Sequence, residues 1–279
     1  MPSNAPPELI IEAGQTEAQY WRDLWRYREL FYFLSWRDVL VRYKQTTIGI
    51  AWALIRPLLT MGVFTIVFGN LAKLPSEGVP YPILVFAGMM PWQFFANSLS
   101  ECSVSLVANA NIGMISKVYF PRLIIPASAV IVCFVDFLIS GLILLALLAW
   151  YNFVPDWRIL TLPVFILLAF AAAIGAGLWL AALTVQYRDF RYIVPFLVQI
   201  SLYISPVGFS SSIVTAQWRL LYSLNPLVSV IDGFRWAILR GTIAIDWFSF
   251  VLSSFLVGLL FISGVWYFRK MERTFADVI

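Results

Sequence analysis

The sequence predicts an all-α integral membrane protein. Six transmembrane helices are expected, with an N-terminal amphipathic interfacial helix before the first and short re-entrant outer helices between spans five and six. Three observations carry that reading. Of 279 residues, 61% are hydrophobic and only 12% charged, whereas a water-soluble globular domain carries roughly 25% charged residues. Six charge-poor windows have the length a bilayer crossing requires, about 20 residues. The basic residues are also unevenly divided among the connecting segments: fourteen Lys and Arg fall on one side, and only Lys73, Arg158, Arg219, Arg235 and Arg240 on the other. Basic residues are retained on the cytoplasmic side, so both termini are expected there.

The elements follow in order. Residues 1–19 contain Pro2, Pro6, Pro7 and Gly14 and read as a flexible tail with no cleaved leader. Residues 20–45 form the interfacial helix, because Tyr20, Leu24, Tyr27, Phe31 and Leu34 recur at alternating steps of four and three. Trp21, Trp25 and the flanking arginines suit the headgroup layer of a membrane. Residues 46–279 form the six-span domain, with spans near 48–72, 83–107, 124–151, 159–186, 192–212 and 246–268. The fifth is interrupted by Pro195 and Pro206 and is expected to be short or partly re-entrant. In the fourth, Ala169, Ala173, Gly177 and Ala181 form a small-residue stripe for close helix packing. The segment between spans five and six is too polar to cross and too apolar for a free loop, which predicts short helices dipping into the outer membrane surface.

Residue chemistry excludes several functions. With no histidine, the usual imidazole base and commonest metal ligand are absent, and no metal site or catalytic residue is expected. Cys102 and Cys133 lie in apolar stretches and read as small fillers. No glycine-rich phosphate loop with Lys and Ser/Thr occurs, so ATP hydrolysis does not belong to this chain. Glu101, Asp136 and Arg56 lie inside predicted spans, where charge is costly and needs a partner or a hydrated path. Their depths predict a Glu101–Arg56 ion pair and leave Asp136 either lining such a path or bonding a neighbouring helix. The chain holds 12 Trp, 12 Tyr and 23 Phe. Membrane belts and core packing absorb many of these; others, with Phe64, Phe68, Phe95, Trp179 and Tyr203 as candidates, are positioned to line a conduit in which rings stack on sugars.

Four segments carry a family resemblance: WRDVLVRYKQTTIGIAWALIRPLLTMGVFTIVFG (36–69), KVYFPRLIIPASAV (117–130), QYRDFRYIVPFLVQ (186–199) and YSLNPLVSVIDGFRWAILRG (222–241). In this order and spacing they resemble the permease subunit of polysaccharide-exporting ABC transporters, the group that exports O-antigen, capsule and teichoic acid. The resemblance implies a pair of permeases around a central conduit, with two separate ATP-binding subunits docked below and ATP and magnesium bound there rather than on this chain. It implies an undecaprenyl-linked polysaccharide as cargo, O-antigen foremost, in the inner membrane of a bacterium, among membrane lipid and with no nucleic-acid partner.

Roles carry over by matching position. Lys117, Tyr119, Phe120, Pro121 and Arg122 fall where the family couples to its ATPase, with Pro121 ending a short helix; Arg188, Asp189 and Arg191 lie at the other inner turn. Segment 206–241 resembles the outer gate, in which Pro206, Asn225, Pro226, Gly233 and Arg235 match. Alternatives within the class are a permease for capsule, teichoic acid or a hydrophobic drug. Outside it stands a membrane-embedded glycosyl- or acyltransferase built on Glu101 or Asp136; an ion channel lacks a visible charge ring or filter.

Overall fold

The computed structural model describes residues 17–44, 49–108 and 120–275, and within them every regular element is helical. Most of the predicted tail lies outside this range, since α1 begins at Glu17. Helices α1 (Glu17–Arg26) and α2 (Arg28–Lys44) are almost continuous. Backbone bonds from Tyr27 to Asp23 and from Phe31 to Tyr27 carry the ladder across their junction. Helix α3 (Gly49–Phe64) runs into a π-helical turn, Thr65–Leu71. Then come α4 (Tyr81–Val104), α5 (Ile124–Trp150), a 3₁₀ turn (Trp157–Thr161), α6 (Leu162–Gln186) and α7 (Phe190–Ile204). A second 3₁₀ turn (Ser211–Ile213) leads to α8 (Ala216–Ser223), α9 (Pro226–Ile238) and α10 (Trp247–Glu272).

Among the described residues, four segments are long and apolar enough to cross a membrane: Ala51–Leu71, Ile124–Trp150, Trp157–Gln186 and Trp247–Glu272. The two other expected spans differ for physical reasons. Helix α4 has 24 residues but includes Gln93, Asn97 and Ser98. It can carry them because it is the enclosed axis of the bundle, packed against α5, α6, α7 and α9, with both faces buried over most of its length. Helix α7 has only 15 residues, about 22 Å at 1.5 Å per residue, short of a bilayer core of about 30 Å. Pro195, expected to interrupt it, lies within the helix, which ends where Ser205 turns extended ahead of Pro206.

Glycines set the closest contacts. A Cβ on Gly264 of α10 would lie 2.2 Å from the Gly175 carbonyl oxygen of α6, so the two backbones touch there. Gly177, from the predicted stripe, instead meets Cys102 of α4, whose sulfur would stand 2.6 Å from an added Cβ. The periodic apolar face of the N-terminal helices turns inward: Tyr20 and Leu34, flanked by Leu24, Tyr27 and Phe31, join Phe120, Leu123, Phe268 and Phe275 in one cluster. Trp25, Tyr32, Phe33 and Trp36 stay exposed on these two helices.

Candidate functional site: a tryptophan-walled cavity beside a charged cluster, and a pinned helical cap

Charged residues from three helices meet at the end of α2. Arg42 reaches Glu101 of α4 at 3.3 Å and Asp136 of α5 at 3.4 Å, and the Tyr43 hydroxyl donates to Asp136 as well. The expected Glu101–Arg56 pair is therefore corrected: Arg42 takes that place, because the N-terminal helix lays its last turn across α4 and α5, while Arg56 makes no ion pair among the described residues. Asp136 is the second carboxylate of the same cluster. One guanidinium bridging two carboxylates leaves the group one negative charge in surplus, and all three side chains keep partial exposure.

Beside this cluster opens a cavity of about 630 Å³, bounded by α2, α3, α4, α5 and α7. Trp52, Arg56, Trp92, Gln93, Asn97 and Asp136 are among its walls. The Trp92 indole N–H is buried without a partner, an unused donor at the cavity wall. Indole faces beside amides, a guanidinium and a carboxylate can hold a ligand that presents both C–H faces and hydroxyls. Of the five candidate conduit aromatics, none lines this cavity. Phe64 and Phe68 pack on each other, 5.3 Å between ring centres, and over Gly208. Phe95 is buried in the core. Trp179 stacks on Tyr267 at 3.9 Å and donates to Ser263, joining α6 to α10. Tyr203 is exposed on α7. Sequence reasoning missed Trp52 and Trp92; their position beside Arg56 and Gln93 was the available signal.

At the end of the bundle where α5 begins, Phe120 and Pro121 are buried. The Arg122 backbone N–H donates to the Glu272 carboxylate at 2.7 Å, and its guanidinium to the Glu272 carbonyl at 2.9 Å. The Pro121 carbonyl accepts from Ile124, opening the turn into α5. Lys117 and Tyr119 lie outside the described residues. Tyr20 joins this hub under the Arg269 guanidinium, 4.5 Å from its ring centre; burial first, then the Glu272 charge, raise its phenol above the ordinary range. Arg188 and Asp189 form an exposed turn between α6 and α7, where Asp189 precedes α7 without a side-chain capping bond, and Arg191 is exposed in the first turn of α7.

The opposite end is closed by α8 and α9. Asn225 caps α9 by accepting from the Leu227 N–H at 3.0 Å. Its amide donates to Ser205, and its carbonyl accepts from Ser253, so one residue ties α9 to the end of α7 and to α10. Pro226 occupies the first helical position, where its missing N–H costs nothing. A Cβ on Gly233 would lie 2.1 Å from the Phe165 ring, which only glycine avoids. Arg235 is fully buried. It donates to the carbonyls of Leu84 (3.1 Å), Phe209 (2.6 Å) and Val207 (2.8 Å); Gly88 leaves room for its plane. Pro206 is buried in the strap that supplies two of those carbonyls. Burial pulls the Arg235 guanidinium down to about 10, where it is still charged at neutral pH. It pushes the nearby Asp232 carboxyl up to about 6, against a Ser211 hydrogen bond and the Arg235 charge.

Comparison with known proteins places this arrangement. Residues 29–239 match the membrane family described as ABC-2 type transporter. Across 255 residues the chain is 26% identical to the O-antigen export system permease protein RfbA of Klebsiella pneumoniae, covering 90% of this chain and 95% of that one. It is 27% identical to the RfbA protein of Myxococcus xanthus over 217 residues, 77% of this chain and 82% of the other. To the polysialic acid transport protein KpsM of Escherichia coli it is 24% identical over 244 residues, 85% of this chain and 91% of the other. With most of its length matched by one family, the chain is a member of the ABC-2 type transporter membrane family.

Proposed function

We propose that this chain is the transmembrane subunit of an ATP-driven exporter that moves a lipid-linked polysaccharide, O-antigen foremost, across the bacterial inner membrane. The observation that carries the reading is the end-to-end likeness to O-antigen export permeases, with 90% of this chain and 95% of the relative aligned. The cavity beside Arg42 supports it, because its indole faces, amides, guanidinium and carboxylate suit the C–H faces and hydroxyls of a saccharide. In this reading α4 and α7 complete six crossings, both termini are cytoplasmic, and two copies pair around the conduit.

ATP hydrolysis belongs to two separate subunits that bind ATP and magnesium and dock at the α2 end. Closure of those subunits acts on residues 117–122. The bonds from Arg122 to Glu272 and the burial of Phe120 against α10 then carry the displacement into the bundle. The Arg42 cluster holds the interfacial helix against α4 and α5 and releases it as the two states exchange. The α8–α9 cap shuts the opposite end between substrates.

Deletion of the gene in its host, followed by fractionation of surface polysaccharide and its lipid-linked precursor, tests this function. Complete polymer on undecaprenyl carrier held at the cytoplasmic face, with none at the surface, is the expected result. Truncated or absent polymer everywhere would favour a transferase, and unchanged surface glycans would overturn the assignment of the cargo.

A further inference from the structure

A second cavity, of about 450 Å³, lies under the helical cap among α8, α9 and the start of α10. It is separate from the cavity beside Arg42 and shares no wall residue with it. Its volume is within the range of small-molecule sites, about 300–1,000 Å³. Five serines line it. Ser212 bonds Glu77 and Ser249 bonds Asp246, and Ser211 bonds Asp232. Two wall atoms, Tyr222 Oη and Asp232 Oδ1, are buried with no hydrogen-bond partner among the described residues. A hydroxyl and a carboxylate oxygen left unpaired in one cavity ask for a ligand with donors and acceptors on neighbouring atoms. Phe250 and Ile243 supply apolar wall beside them.

The charges narrow the ligand further. Among the described residues that line the cavity, Glu77, Asp232 and Asp246 stand against one cation, Arg219. The Arg235 charge lies behind Asp232, its donors occupied by three backbone carbonyls. An anionic ligand meets an acidic surplus, while an uncharged polyol meets acceptors for its hydroxyls and an apolar face for its ring.

We infer that this cavity is a binding site for a neutral sugar residue of the transported chain, rejecting acidic sugars and lying beneath the cap at the end opposite the ATPase-coupling segment. The inference rests on the export reading and adds to it a substrate class and a second contact point. Saccharide bound there touches α8, α9 and the first turn of α10 together, so its arrival and departure are sensed by the elements that close this end.

The test is site-directed protection in the full-length chain, purified with its ATPase partner in nanodiscs. Ser212→Cys places an accessible thiol on the cavity wall, whereas Cys102 and Cys133 are buried and supply the background rate. Maleimide labelling is timed with and without neutral tri- to tetrasaccharides cut from the host's surface polysaccharide, and with oligosialic acid of equal length. The expected result is at least a fivefold, saturable slowing by the neutral oligosaccharide, none by oligosialic acid, and loss of protection when Asp232→Asn is added. Should that variant fail to fold, Tyr222→Phe serves in its place. Absence of protection by the neutral saccharide, or equal protection in the Asp232→Asn background, would overturn the site, and protection by oligosialic acid would overturn its selectivity. Failure here with surface polysaccharide lost on gene deletion refutes this site alone. Surface polysaccharide persisting after deletion refutes the export reading beneath it.

Discussion

Two arginines, one meeting each end of α4, solve the same problem differently. Arg42 bridges two carboxylates at 3.3 and 3.4 Å in a partly exposed cluster. Arg235 is wholly buried and spreads its charge over three backbone carbonyls, with bonds of 2.6 to 3.1 Å. A partly hydrated ion pair loses little when it opens, because water takes over each charge. A buried guanidinium has no such substitute, and the carbonyls it serves would be left unpaired. The comparison places the more easily broken contacts around Arg42 and the costlier ones around Arg235.

Substitutions separate the two ends. Arg235→Met strands three buried acceptors and is expected to cost about 3 kcal/mol or more, read as a large fall in thermal midpoint or loss of folded protein by size-exclusion chromatography. Gly233→Ala forces a methyl into the Phe165 ring. Overpacking of that kind costs about 1–3 kcal/mol, and pairing it with Phe165→Leu should recover part of the lost midpoint. Arg42→Gln is expected to change stability by no more than about 1 kcal/mol while slowing export severalfold; a stability loss as large as that of Arg235→Met would erase the contrast.

The smallest effect is a pH slope from Asp232. Its carboxyl is raised from 3.8 to about 6 in the folded chain, so between those values the folded state holds a proton that the unfolded state has released. Stability from this group is present below about pH 4, declines as pH rises through 6, and is constant above. The facing groups are Tyr222, Ser211 and Arg235, none of which changes charge in that window. Thermal midpoints from pH 4 to 7 should lose this component in Asp232→Asn.

Much of the architecture was legible because apolar runs in lipid are long and their ends are charged. The expected 124–151 and 246–268 windows correspond closely to Ile124–Trp150 and Trp247–Glu272, and Pro206 did end the fifth window early. The stripe from Tyr20 to Leu34 was visible as periodicity, which marks an apolar face without naming what covers it; the cover is Phe120, Phe268 and Phe275. The partner of Glu101 was hidden for a related reason. Arg42 is 59 residues away, on a helix whose path over α4 and α5 is a matter of tertiary packing. Aromatic identity was equally mute about direction: Trp179 stacks between helices while Trp92, no different in sequence character, faces a cavity. Gly233 and Arg235 were marked as a motif, but only the Phe165 ring and the three carbonyls give the reasons those residue types are needed.

The most direct test is transport in a purified system. The chain, its ATPase partner and a fluorescent undecaprenyl-linked oligosaccharide are reconstituted in proteoliposomes, and a membrane-impermeant glycosidase reports which leaflet presents the sugar. Movement to the leaflet opposite the ATPase, dependent on ATP hydrolysis and slowed by Arg42→Gln, is the predicted result. Equal movement without ATP, or none with a complex that hydrolyses ATP and binds the lipid-linked sugar, would contradict the assignment of this chain as the exporter's transmembrane subunit.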